Sequence, residues 1–399
     1  MALTDVLSID LGTSTTAAVL RRADGSTRTV EFDGEPLLPS GVCAMSNGRL
    51  ATGRDARNLA DTHPFEPAPK RHIGSSAPVP LGHRDYAADE LVAAVLGRVL
   101  DEVGHTPGRV VLTFPASWGP DRRMVLVEAA RRLGVTDPML LPEPIAAARF
   151  INTVHPCAVP VGRTTVIYDL GAGTFDATVL RRTPHGFTQL ATEELPDAGG
   201  QDIDAAIVAH LTGEVSGGGL LWDRVRAAKE RLSRETATTV KLPQFDRAES
   251  HDGSVPPDGA TPLDGAVPVD GAVPVDSAVP LTRRQVEAIA RPILERTVAA
   301  TRAALVAAGP PATRLAAVVM IGGASRIPLA ALLLHSAFGV APVLVDQPDL
   351  VVARGAALPG SRPAPVPAEP EDPSRGGPWL SRLTRAVTRP STPRNPPPP

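Results

Sequence analysis

The stretch VLSIDLGTSTTAAVL at residues 6–20 returns in kind as VIYDLGAGTFDATVL at residues 166–180. Each copy is an apolar run, then Asp-Leu-Gly followed by small and hydroxyl-bearing residues, then a return to apolar residues. An alternating apolar strand broken by a glycine turn and resumed is the pattern of a β-hairpin. The chain is therefore expected to carry two hairpins of one design, at 4–20 and 163–181, in two similar half-molecules.

Turns rich in glycine and hydroxyls can close on a polyphosphate from opposite sides, donating backbone N–H groups where a side chain would be too bulky. Each turn brings one carboxylate, Asp10 and Asp169. Two carboxylates facing a triphosphate repel it unless a cation sits between them, and Mg²⁺ keeping most of its waters fits that arrangement. Either turn alone also reads as an ordinary glycine turn. A third element, VVMIGGASRIPLA at 318–330, reads as a strand, a glycine pair and a helix start, which lets backbone approach a nucleotide closely. The three together place a nucleotide in a cleft between the halves.

Elsewhere the order is mixed α/β. Helical spacing marks 88–104, 121–135, 201–235 and 283–308, buried strands mark 109–118 and 315–323, and a helix starts within 324–338. The chain has 399 residues, enough for two or three compact units, and 40 basic against 43 acidic residues, so no basic field argues for nucleic acid. Two cysteines, Cys43 and Cys157, with no signal-like start and no long apolar span, lead us to expect a reduced, soluble, cytoplasmic protein without a transmembrane segment. Only three of the 40 basic residues are lysine, Lys70, Lys229 and Lys241, which marks positions where a compact ammonium suits better than a guanidinium. Residues 257–280 repeat every six residues as Pro-x-Asp-Gly-Ala-Val and read as a flexible surface loop rather than a β-helix. From Pro359 the chain is Pro-rich and reads as a disordered tail, within which 378–389 has the apolar face of a short docking or membrane-surface helix.

In order along the chain stand IDLGTSTT (9–16), PKRHIG (69–74), LTFPASWGPDRR (112–123), LPEPIAAA (141–148), YDLGAGTFDATVL (168–180), GGQDID (199–204), AAKERLS (227–233), IGGASRIP (321–328) and PDLVVARGAAL (348–358). As an ordered set over about residues 4–358 they resemble the nucleotide-binding domain of the DnaK-type 70-kilodalton heat-shock chaperones, in the actin-like ATPase superfamily. The resemblance implies an α/β actin-like ATPase fold, with two similar ribonuclease H-like lobes around a nucleotide cleft, each bearing a smaller subdomain. Lobe I would span 1–161, with its core at 1–36 and 107–161 and its subdomain at 37–106. Lobe II would span 162–358, with its core at 162–198 and 293–348 and its subdomain at 199–292, the hexad loop 251–280 included; 359–399 would be the tail.

The same resemblance implies ATP or ADP with Mg²⁺ as ligands. Asp10 and Asp169 match residues that hold the metal through water. Thr13, Ser14, Gly171 and Thr174 match the phosphate cradle, with Gly12, Ala172, Gly173, Gly199 and Gly200 beside them. Lys70 matches a lysine that reaches the terminal phosphate, and Glu143 and Asp176 match carboxylates that order the attacking water. Lys229 and Ser233 match the helix beside adenine and ribose, with Gly322, Gly323, Arg326 and Asp349 opposite. Pro115 and Arg123 match a pair that relays nucleotide state.

Departures from the family pattern carry expectations of their own. Ala172 and Ala324 stand where glycine and serine are usual, at a cost on the order of 1 kcal/mol wherever φ must be positive. Arg226 replaces a glutamate near the ribose. After GAAL the residues are Pro-rich, so the family's client-binding domain is expected to be missing. The leading expectation is a slow Mg-ATP hydrolysing switch with co-chaperone or exchange-factor-like partners. The alternatives are a nucleotide-sensing scaffold, an actin-like filament former, and a sugar or metabolite kinase.

Overall fold

The computed structural model describes residues 4–155, 159–213, 219–242, 278–309 and 315–360. The first hairpin pairs Val6–Leu11 with Thr15–Arg21 in antiparallel register, Ile9 opposite Ala18 and Leu11 opposite Thr16. Arg109–Phe114 lies parallel to Val6–Leu11 on its other side, followed by Met139–Pro142. Thr27–Thr29 and Leu37–Pro39 both pair with Thr15–Arg21, completing a six-stranded sheet. The 37–39 strand therefore belongs to the main sheet.

The second hairpin repeats the plan. Thr164–Leu170 pairs antiparallel with Phe175–Thr183, and Leu315–Ile321 takes the parallel place beside Thr164–Leu170. Gly186–Leu195 closes the edge of this four-stranded sheet. In both halves the hairpin's first strand is flanked by a parallel strand, so its C-terminal end, where the Asp-Leu-Gly turn sits, lies at the ligand-facing end of the sheet. The side chains of Leu7, Ile9 and Leu20 in one half, and of Val166, Tyr168 and Phe175 in the other, are fully withdrawn from water. Tyr168 keeps its hydroxyl satisfied by Thr297 Oγ1 at 2.6 Å.

The helices follow the apolar spacing: Ala88–Val103, Pro120–Arg132, Gly200–Thr212, Gly219–Leu232 and Arg283–Ala307. The last begins where Thr282 and Gln285 form a reciprocal cap, Thr282 Oγ1 accepting from the Gln285 N–H and Gln285 Oε1 from the Thr282 N–H. The glycine pair at 322–323 opens a 3₁₀ turn, Gly323–Arg326, before the helix Pro328–Phe338. The end of the hexad repeat is a strand and not a loop. Ala278–Thr282 pairs antiparallel with Ala237–Lys241, because Val279 and Leu281 alternate with Pro280 and bury Leu281 beside Val240. The rest of the expected loop, Cys157, the 378–389 segment and the tail beyond residue 360 lie outside the described residues. Among the described residues no helix is long and apolar enough to cross a membrane.

Two helices cross over the face of the first sheet, where Ser8 Oγ donates to Ala353 O at 2.7 Å. Glu143–Val154 packs on Val351–Ala357 so closely that a Cβ on Gly355 would collide with the Ala146 carbonyl. Arg149 fastens the crossing, its Nη2 donating to Leu358 O at 3.0 Å and Pro359 O at 2.7 Å. Gly355→Ala should therefore force the helices apart and destabilise the fold by about 1–3 kcal/mol or more in urea unfolding. Gly97→Ala, mid-helix with only a Leu133 methyl at 3.3 Å from the added carbon, should leave stability unchanged or raise it by up to ~1 kcal/mol.

Candidate nucleotide site

The two Asp-Leu-Gly turns face each other across a cavity of about 250 Å³. Asp10, Gly12, Thr13 and Ser14 line it from the first hairpin, and Asp169, Gly171, Ala172, Thr174 and Asp176 from the second. Lys70 and Glu143 close one end, while Gly200, Lys229, Gly322, Gly323, Arg326 and Asp349 form the other. Of the residues singled out in the sequence, Gly173, Gly199, Ser233, Pro115 and Arg123 stay off the wall.

Gly173 and Gly199 serve from one layer behind. A Cβ on Gly173 would come within 2.7 Å of Thr13 Cγ2, so a glycine is what lets one turn approach the other. A Cβ on Gly199 would lie 2.5 Å from Ala172 O, where the second turn meets the helix start; the Gln201 N–H donates to that same carbonyl at 2.7 Å. Gly322 is the one cavity glycine whose φ, +80°, is left-handed, and a side chain there would sit 2.6 Å from Asp169 Oδ1. Ala172 and Ala324 carry no backbone strain: among the described residues only Asp33 and Gln347 have positive φ without being glycine. The cost attached to alanine at these turns does not arise.

The charges are unevenly matched. Lys70 Nζ donates to Glu143 Oε1 at 3.0 Å, with both side chains nearly withdrawn from water. Burial pushes the Asp10 carboxyl up to about 7, with Glu143 adding to the rise while Lys70 and the Thr113 hydroxyl oppose it. Burial, then Glu143, raise Asp176 to about 8, and burial with Glu143 and Asp176 hold Asp169 well above the usual carboxylate range. Burial would drag the Lys70 ammonium down, but Glu143 and Asp10 hold it above its ordinary value. One ammonium thus faces four carboxylates, Glu143 buried and Asp10, Asp169 and Asp176 half-buried at the cavity wall. Among the described residues no group of three or more His, Cys, Asp or Glu is close enough to seize a metal directly. Paired but separated acids, a glycine at 322 that leaves room beside Asp169, and excess negative charge fit a hydrated Mg²⁺ held through its waters by Asp10 and Asp169.

Two of the cradle hydroxyls are engaged within the protein. Ser14 Oγ accepts from Gln201 Nε2 at 2.9 Å, and Thr174 Oγ1 donates to Asp176 Oδ2 at 3.4 Å. At the far end Lys229 Nζ donates to Gly200 O at 2.8 Å and lies 2.7 Å from Asp204 Oδ1, an approach of charges without hydrogen-bond alignment. Arg226 Nε shares the same buried carboxylate at 3.8 Å. Arg326 pairs with Asp349 at 2.6 Å. Ser233 turns its hydroxyl back to Lys229 O on its own helix, which takes it off the cavity wall. Pro115 borders a small space of about 10 Å³ shared with Glu143, Asp169 and Asp176, and Arg123 lies over the Phe114 ring at 5.5 Å.

Several wall and support residues were not singled out in the sequence. Thr113 Oγ1 donates to Asp10 Oδ1 at 2.7 Å, Arg71 Nη2 donates to Gly173 O at 3.3 Å, and Gln201, Asp204 and Glu230 line the cavity. Two carried a local signal: Thr113 is the lone hydroxyl in the buried run Val110–Phe114, and Asp204 sits on the apolar stripe of its helix with Ile203 and Ile207.

Duplicated hairpins, facing carboxylates and a glycine-lined cleft define an actin-like nucleotide-binding domain. A family profile described as "Hsp70 protein" matches residues 74–362. The chain is 30% identical over 380 residues to "Chaperone protein DnaK" of Halobacterium salinarum, in strains R1 and NRC-1, a match covering 90% of this chain and 56% of each relative. The chain belongs to the Hsp70 family, and it spans little more than half the length of these relatives.

The raised carboxyls set a sign for stability against pH. Asp10 and Asp176 hold protons in the folded, ligand-free protein that the unfolded chain releases near pH 4, so their contribution is full below that pH and is lost as pH rises through about 7 to 8. Thermal unfolding without Mg²⁺ should show Tm falling from pH 6 to pH 8.5. Asp176→Asn should flatten that slope, and Mg²⁺ should restore Tm most at the alkaline end.

Proposed function

We propose that the chain binds Mg-ATP in this cleft and hydrolyses it slowly to ADP and phosphate, acting as a nucleotide switch of the chaperone type. The observation that carries the reading is the Lys70–Glu143 pair set at 3.0 Å against Asp10, Asp169 and Asp176 between two phosphate-type turns. A bound Mg²⁺ would neutralise the facing carboxylates and the phosphates between them. The terminal phosphate lies toward Lys70, whose charge offsets the negative charge that grows on the phosphoryl oxygens. Asp176 Oδ1 is buried with no hydrogen-bond partner and borders the same small space as Glu143. Either carboxylate can orient a water there and accept its proton.

At the other end, Arg326, Lys229 and the glycines at 322–323 take the adenosine. Contacts across the cleft, Gln201 to Ser14 and Arg71 to Gly173, report what occupies it, so binding and release bias closure of the two halves. Partners of co-chaperone or exchange-factor type in the cytoplasm would read that state.

Single-turnover hydrolysis with Mg²⁺ tests the reading. Lys70→Ala should slow turnover by ~10²-fold with ATP affinity changed only a few-fold. Asp169→Asn should weaken Mg-ATP binding and turnover together. A wild-type chain that binds ATP and never turns it over sinks the hydrolysis claim and leaves a nucleotide-sensing scaffold.

A further inference from the structure

Lys70 has a second neighbour besides Glu143. Its Nζ lies 5.5 Å from the centroid of the Trp118 ring. Trp118 is only 8% exposed and belongs to the core beneath the first sheet. Its position is fixed from both sides. The Trp118 N–H donates to Pro115 O at 3.0 Å to close a turn, and Gly119 and Pro120 start the next helix at once. Lys70 sits on the short 3₁₀ turn Pro69–His72, whose other two basic side chains are engaged elsewhere: Arg71 reaches Gly173 O, and His72 Nε2 lies 2.9 Å from Glu66.

The two neighbours of the ammonium act differently. Glu143 attracts it with a full negative charge and so cancels it. An indole face attracts a cation through its quadrupole and leaves the charge intact. A lysine stem is flexible, and an ammonium held only by a carboxylate loses its aim whenever that carboxylate turns to another task. A rigid aromatic face beside it keeps the ammonium at the phosphate end throughout.

We propose that Trp118 is the positioning residue for Lys70, holding its ammonium by cation–π attraction so that its full charge meets the terminal phosphate of the nucleotide. This role rests on the hydrolysis reading above, but the geometry can be tested apart from it. The chain has only three lysines, Lys70, Lys229 and Lys241, so ¹³C-lysine labelling of the full protein gives a spectrum assignable with Lys70→Arg. The Lys70 ε-methylene should be shifted upfield by the indole ring. Trp118→Leu should abolish that shift, and Trp118→Phe should keep part of it.

In single turnover, Trp118→Leu should slow the rate about tenfold with ATP affinity within about twofold, and Trp118→Phe should recover most of the loss. In a Lys70→Ala background, Trp118→Leu should cost nothing further. A Lys70 signal that is unshifted in wild type, or a Trp118→Leu penalty of equal size with and without Lys70, overturns the proposal. If no form turns over ATP while the shift behaves as expected, the hydrolysis reading falls and Trp118 still holds Lys70.

Discussion

Lys70 Nζ and Glu143 Oε1 meet at 3.0 Å in a pocket that the half-buried carboxylates of Asp10, Asp169 and Asp176 also line. Charges at such spacing interact strongly in a poorly screened interior, and a single cation cannot balance four anions. Much around the site accommodates that imbalance. Thr113 gives Asp10 a hydrogen bond, and protons linger on the carboxyls. Gly322 keeps a side chain off the Asp169 carboxylate, and Gly12 lets its turn close against the Thr15 carbonyl. The duplication follows from the same need, since two acids can face one ligand from opposite sides only if two separate strands end there.

The hairpins were legible because their pattern is local. A strand, an Asp-Leu-Gly turn and a second strand are complete within fifteen residues, and the same holds for the helices with clean apolar spacing. Lys70 and Glu143 were legible only through resemblance to a family, because nothing in PKRHIG or LPEPIAAA alone says that they meet. The supporting contacts lay further out of reach. Thr113 finds Asp10 across 103 residues, and Gln201 finds Ser14 across 187, distances over which only the finished topology brings partners together.

Where local rules were applied to single turns they misjudged in one direction. Alanine at 172 and 324 looked strained on the premise that the turns need positive φ, yet the left-handed step falls at Gly322 alone among the cavity residues. The hexad repeat looked structureless throughout because its composition is simple. Its last residues nevertheless alternate Val279, Pro280, Leu281, and a partner strand at 237–241 was enough to order them. Lys229, set beside the nucleotide by resemblance alone, lines the cavity and also bonds Gly200 and Asp204, tying its own helix to the start of the preceding one in the site.

Glu143 is the first residue of the helix that crosses Val351–Ala357 at Ala146 and Gly355, one turn further on. That crossing has no slack, so the two helices cannot separate or slide without breaking it; they can only tilt. A tilt of about 10° about Ala146 carries the head of the helix, roughly 4.5 Å away, through a little under ~1 Å. Displacements of that size decide whether a carboxylate can order a water. The crossing is therefore a lever whose short arm ends at Glu143, and a force applied to the far helix moves that carboxylate.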